Sequence, residues 1–348
     1  MPASASAGNL AYQRTWHSRK RLLALLLVAI LALACIDLLV GPSDLAWTSL
    51  LKTLLGSGSA DPTLDIIVWQ IRMPQTLMAL MVGAALGLAG AEMQTVLNNP
   101  LASPFTLGVS SAAALGAALT LVFDWRLPMV QQQYVLVLNA FILALSCSLL
   151  LDAVARRARI GTAGIVLFGI ALVFSFNALL SLVQLTATAA ALQDLVFWMM
   201  GSLERSNWPK VLMMAGVLVA VLPFSLRRVW QLTALRFGDD RAASLGVDAQ
   251  GVRRGALLRI SLLASLAVAL VGVIGFIGLV APHIARRLWG EDHRWYLPAS
   301  ACIGSAILIG ASVAAKLIST HTVIPVGIVT TLVGIPFFII ALMRRIVH

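Results

Sequence analysis

Residues 90–104, GAEMQTVLNNPLASP, gather the groups that could do chemistry inside an apolar chain. They hold one carboxylate (Glu92), two asparagines (Asn98 and Asn99) and two prolines (Pro100 and Pro104), with no Lys or Arg. An ionisable group within a membrane-spanning run marks a proton or ion path. Only Glu92 and Asp152 are expected within or near such runs, each one or two turns from an end. For Glu92 two roles stand open: a proton relay, or a carboxylate facing a wet cavity or reaching the interface. No GxxxxGK[ST] phosphate loop, HExxH or GxSxG occurs, and the five histidines are scattered. The chain is therefore expected to catalyse nothing itself. Cys35, Cys147 and Cys302 lie in apolar runs, away from CxxC or Cys/His spacing, and read as small core residues and not metal ligands.

The elements that position these groups follow from composition. Hydrophobic residues make up 60% of the 348 positions and charged residues 11%, against about 25% charged in a soluble domain. The apolar runs are continuous over roughly 20 residues, the length a helix needs to cross hydrocarbon, which disfavours a strand-built barrel. An all-α polytopic membrane protein is expected. Ten spans fall at roughly 22–41, 74–95, 105–123, 133–153, 162–186, 209–226, 256–273, 274–289, 296–316 and 325–343. The long apolar stretch from about 256 to 285 is divided at the glycines of GVIGFIG; a single tilted helix there would give nine spans and invert everything after it. Residues 1–21 form a tail, and 22–348 one transmembrane domain. The first run is expected to stay as an anchor, not to be cleaved as a signal, because it continues through IDLLVG without a polar cleavage region.

The net charge of +11 reports orientation, not nucleic acid. Basic residues cluster between runs, as in Arg19-Lys20-Arg21, Arg156-Arg157, Arg227-Arg228, Arg253-Arg254, Arg286-Arg287 and Arg344-Arg345. With both termini inside, Lys52, Arg72, Arg126, Arg205, Lys210 and Lys316 lie outside and the other 19 of the 25 Lys and Arg inside. That asymmetry is the expected one.

Gly83, Gly87 and Gly90, spaced i, i+4 and i+7, leave one face of the second span bare for close helix approach, and Gly108 and Gly116 repeat the pattern in the third. The longest cytoplasmic interval, RRVWQLTALRFGDDRAASLGVDAQGVRRG, holds an apolar helical pattern (Leu232, Leu235, Phe237), a break at Gly238, an Asp239-Asp240 start and a Gly246 stop. Two short amphipathic helices, within about 229–252, make a docking surface.

RMPQTLMALMVGAALGLAGAEMQTVLNNPLASPFTLGVSS resembles the signature region of the FecCD family, the permease subunits of type II ABC importers for ferric siderophores, haem and cobalamin. FWMMGSL, LRFGDDRAASLGV, GFIGLVAPHIARRLWGEDHRWYLP and IPVGIVTTLVGIPFF resemble further family blocks in family order. The resemblance implies an inner-membrane permease of ten spans, paired with a second copy or a related permease, over two cytoplasmic ATPase subunits that bind ATP and magnesium. It implies no cofactor in this chain. It implies ATPase contacts at Gly238, Asp239, Arg241, Ala242, Ser244, Leu245 and Gly246, and a cytoplasmic gate at Asn99, Pro100, Leu101, Ala102 and Pro104. The prolines would stop the helix and fix the loop, the asparagine would satisfy backbone groups or contact its copy across a two-fold axis, and the missing cations would leave an anionic chelate untrapped.

The resemblance further implies a periplasmic binding protein docking on basic residues, here Arg72 and Lys316, with Gln75 replacing a second basic residue of the family pattern. It implies a path lined by Ser175, Asn177, Ser181 and Gln184 of the fifth span; the residues alone leave interhelical hydrogen bonds equally open. Glu92 replaces an apolar residue of the family block. A ferric siderophore is the expected cargo, with haem or cobalamin as the alternatives. An ion-coupled secondary transporter is disfavoured because no buried charge pairs are expected.

Overall fold

The computed structural model describes residues 3–41, 46–54, 62–157, 162–318 and 324–346. These contain fifteen α-helices and no strand. The first third of the chain holds α1 (Ala3–Leu39), α2 (Trp47–Leu54), α3 (Pro62–Ile66), α4 (Met73–Val96) and α5 (Val109–Val122). α6 (Gln132–Arg157), α7 (Thr162–Leu185), α8 (Ala189–Met199) and α9 (Trp208–Arg227) follow. Two short helices, α10 (Val229–Leu235) and α11 (Asp239–Ser244), precede α12 (Ala249–Val271), α13 (Ile277–Trp289), α14 (His293–Ile318) and α15 (Val326–Ile346).

Every expected span coincides with a helix. Seven helical stretches are long and apolar enough to cross a membrane, and Val109–Val122, Ala189–Met199 and Val326–Ile339 are shorter apolar helices. α1 starts at Ala3 and so includes described residues of the expected tail. α8 was not expected. It starts because Thr188 Oγ1 accepts from Ala191 N–H at 3.3 Å, a side-chain cap that begins a new helix one turn after α7 stops. The division between the seventh and eighth spans is real: Gly272 (φ +76°) ends α12, and Phe276 (φ +66°) turns the chain into α13. Such irregular backbone at depth survives where protein surrounds it, and here Ser202 N–H donates to Val271 O at 2.8 Å.

α4 is the axle of the bundle. From Ala85 to Val96 every residue is buried, the signature of a helix surrounded by others. The glycine face works as expected. A β-carbon on Gly83 would sit 2.4 Å from Gly304 O, one on Gly87 2.2 Å from Ser300 O, and one on Gly90 1.9 Å from Gly278 O. α4 thus meets α14 and α13 backbone to backbone. Gly116 plays the same part between α5 and α6, against Asn139 O. Gly108 does not; it adopts φ +90° and caps α5, so its absent β-carbon serves a turn and not a packed face. α3 and α4 are joined through a wide turn over Ile67–Arg72, where Pro74 lacks the N–H that a regular turn would use.

Candidate functional site: the 97–104 loop and the helices that hold it

At the end of α4, Asn98 turns left-handed (φ +45°) and ends the helix before either proline is reached. This corrects the expected role of the prolines. Asn99 acts as expected: its Oδ1 accepts from Leu101 N–H at 3.0 Å and its carbonyl from Ala102 N–H at 3.1 Å. Asn99 and Pro100 are half-buried, Leu101 is exposed, and Ala102 and Pro104 are buried against the bundle. The loop is therefore a tight, internally bonded turn presenting Leu101 outward.

Three consecutive residues of the last α4 turn are tied to other elements. Gln94 Oε1 accepts from Arg286 Nη2 at 3.0 Å and from the Tyr296 hydroxyl at 3.4 Å. Thr95 Oγ1 lies 2.8 Å from His293 Nε2. The Val96 carbonyl accepts from Arg253 Nε at 3.0 Å, which satisfies one of the acceptors a helix terminus leaves open. None of these four partners was anticipated, and no local spacing marks them, since they lie 157 to 202 positions away.

The α10–α11 segment matches its expected form. Leu232 and Leu235 are buried, whereas Phe237 is turned outward at 60% exposure beside Trp230 at 59%. Gly238 (φ +97°) and Gly246 (φ +76°) bracket α11, where other residues would be strained. Asp239, Arg241, Ser244, Leu245 and Gly246 are exposed and Gly238 is half-buried. Ala242 is fully buried and so anchors α11 to the bundle instead of facing a partner. Beside this segment an open cavity of about 480 Å³ is lined by Trp230, Thr233, Phe237, Glu291 and Arg294. Asp292, at its edge, is pushed upward by burial, but hydrogen bonds from Arg294 outweigh this and hold its carboxyl below the ordinary range.

Two buried charge pairs overturn the expectation that none exists. Glu92 is 1% exposed and accepts from Arg259 Nε at 3.1 and 3.0 Å and Nη2 at 2.8 Å, binding α4 to α12. It neither faces a wet cavity nor reaches the interface. Asp37 of α1 is also fully buried; its carboxylate accepts from Thr76, Ser312 and Lys316 at 2.5, 2.7 and 2.8 Å. Lys316 also donates to the Asp37 carbonyl at 2.9 Å, and Arg72 donates to the Leu38 and Leu39 carbonyls, both at 2.7 Å. Arg72 and Lys316 thus cap the end of α1, with Gly41 leaving room for the guanidinium. Both heads point inward, which corrects the expectation of free basic groups on the surface.

On α7, Ser175, Asn177 and Ser181 are exposed and Gln184 is half-buried. At 3.6 residues per turn Asn177, Ser181 and Gln184 share one face, and Ser175 lies on the opposite one. The hydroxyls of Ser175 and Ser181 donate to their own helix, at Ala171 O and Asn177 O.

A helical, polytopic chain with a central buried helix, a glycine-bracketed surface hairpin and a bonded turn between them has the architecture of a type II ABC importer permease. Residues 26–344 match the model of the FecCD transport family, and the chain belongs to that family. It is 33% identical over 320 residues to the hemin transport system permease protein HmuU of Yersinia pestis, covering 92% of this chain and 96% of the relative. It is 35% identical over 335 residues to the vitamin B12 import system permease protein BtuC of Vibrio cholerae, covering 96% of each. A solved structure assigned to the metal-chelate type of ABC transporter, in an inward-facing conformation, superposes with a TM-score of 0.83 at 29% identity, over 93% of this chain and 99% of that one.

Proposed function

We propose that this chain is the inner-membrane permease subunit of an ATP-driven importer, forming with a second copy or a related permease the path for an iron-siderophore type chelate delivered by a periplasmic binding protein. Residues 1–21 and both termini lie in the cytoplasm in this reading. Two cytoplasmic ATPase subunits bind ATP and magnesium and dock on α10–α11, through Gly238, Asp239, Arg241, Ser244, Leu245 and Gly246. The 97–104 loop is the cytoplasmic gate. Asn177, Ser181 and Gln184 line the path, and Arg72 and Lys316 shape the outer face by fixing α1 rather than by offering free charge.

The observation that carries the reading is the α10–α11 hairpin. Its exposed aromatic and charged groups surround a buried anchor, Ala242, at the end of the bundle where α4 runs into a gate-like turn. Exposed large apolar side chains next to charges are what a protein interface uses. Membership of a family whose relatives are named as permeases supports the same assignment. A chelate as cargo is supported by the cation-free turn at 97–104 and by the metal-chelate type of the solved relative. Haem or cobalamin is the second reading, favoured by the names of the two relatives above. At the Glu92–Arg259 and Asp37–Lys316 pairs ion coupling finds little room, because their carboxylates are saturated by partners.

The test is ATP turnover of the purified chain with its candidate ATPase in lipid nanodiscs, with and without the binding protein. Stimulated turnover is expected, and Gly238→Ala/Gly246→Ala should abolish the stimulation with the complex still assembled. Neither β-carbon meets another atom within 4 Å, so the change acts through the backbone conformation alone. Uptake driven by an ion gradient without any ATPase would sink the assignment.

A further inference from the structure

Two polar bridges join the α10–α11 segment to the last turn of α4, just before the 97–104 loop. The first runs from α10 to α4 through one imidazole. His293 is fully buried, with Nδ1 3.1 Å from Thr233 Oγ1 of α10 and Nε2 2.8 Å from Thr95 Oγ1 of α4. Each hydroxyl is also anchored to its own helix, Thr95 donating to Ala91 O at 2.9 Å and Thr233 to Val229 O at 2.7 Å. The second bridge runs from α11 to α4 through one guanidinium. Arg253 Nη2 donates to Asp239 Oδ1 at 3.0 Å, at the first residue of α11, while its Nε donates to Val96 O.

The two bridges end on adjacent residues, Thr95 and Val96, and the chain leaves the helix at Asn98. Each short helix of the hairpin therefore has its own polar tie to the last turn before the gate-like loop. We propose that His293 and Arg253 are positioning residues for transport, which carry displacement of α10–α11 to the 97–104 loop. The inference rests on the reading of α10–α11 as an ATPase docking site. Packing alone holds a helix in place, but a bonded imidazole and a forked guanidinium resist shear in a defined direction. Asp239 is also one of the exposed docking groups, so a partner that engages it acts directly on Arg253 and the Val96 carbonyl.

The test uses the assembled transporter in nanodiscs, with Cys35, Cys147 and Cys302 replaced and Leu101→Cys as a reporter, because Leu101 is the outward side chain of the turn. The rate of maleimide labelling is compared before and after trapping the ATPase with ATP and vanadate. A working linkage is worth about fivefold or more in such a difference. With Thr233→Val or Arg253→Met the trapping should proceed as before while the labelling difference collapses towards one. Thr233→Ser, which keeps the hydroxyl, should restore it. The proposal is overturned if Thr233→Val/Arg253→Met keeps the full labelling response, or if Thr233→Ser behaves as Thr233→Val, which would mark a packing role only. Failure of wild type to bind any ATPase refutes the docking reading itself, and is seen before any variant is made.

Discussion

Arg259→Met is the sharpest perturbation of this bundle. It removes three charge-assisted hydrogen bonds, at 3.1, 3.0 and 2.8 Å, from a carboxylate that is 1% exposed. Each such bond is worth about 1.5–3 kcal/mol, but the partners also escaped water to make them, so the bonds do not sum. Breaking a buried pair from one side costs about 3–5 kcal/mol, whereas replacing both members with apolar groups of similar volume is neutral or stabilising. Arg259→Met alone should therefore lose about 3–5 kcal/mol, Glu92→Leu alone a comparable amount, and Glu92→Leu/Arg259→Met should return to within about 1 kcal/mol of wild type. The measurement is unfolding free energy by SDS titration in mixed micelles, as a double-mutant cycle. Additive losses, or a neutral Arg259→Met, would refute the claim that Glu92 is held by charge pairing.

Arg72→Gln should lower the midpoint of thermal unfolding, since it uncaps α1, while leaving the affinity for the binding protein within about twofold, because exposed pairs and not buried caps steer docking; surface-immobilised binding protein provides the check. Lys316→Met should destabilise by about 3 kcal/mol or more, leaving Asp37 with the Thr76 and Ser312 hydroxyls alone, read from the same SDS titration. Gly90→Val should prevent assembly of the bundle, its β-carbon meeting Gly278 O at 1.9 Å, and Gly216→Ala, which has open space, serves as the control; monodispersity on size exclusion distinguishes them.

Helix positions were legible because membrane thickness fixes run length and because the glycines at 83, 87 and 90 report a contact on their own helix. The hairpin was legible for the same local reason: Gly238, the Asp239-Asp240 start and Gly246 are neighbours in sequence. The charge pairs were not, since Glu92 and Arg259 are 167 positions apart and Asp37 and Lys316 are 279 apart. Asp37 was passed over although it lies within the first expected span, and Arg259 within the seventh. Reading Arg72 and Lys316 as surface charges went wrong for a related reason: a basic residue at a span end reads as exposed until the helix terminus it caps is known. α8 was missed because its 11 residues are too few to read as a span, and only Thr188 marks its start.

The 167-residue separation of Glu92 from Arg259 also sets a clock for biogenesis. At about 5–20 residues per second of synthesis, α4 is made some 10–30 seconds before α12 exists. Of the seven candidate spans, the one containing α4 has the lowest mean hydropathy, 1.6. The segment that ends as the axle of the protein is thus its least membrane-ready part while the chain is being made. It must wait, with a bare glycine face and an unmatched carboxyl, for α12, α13 and α14 to be inserted around it. Nascent chains truncated before residue 259 should be held by the insertion machinery or by membrane quality-control proteases, and release should follow the emergence of α12.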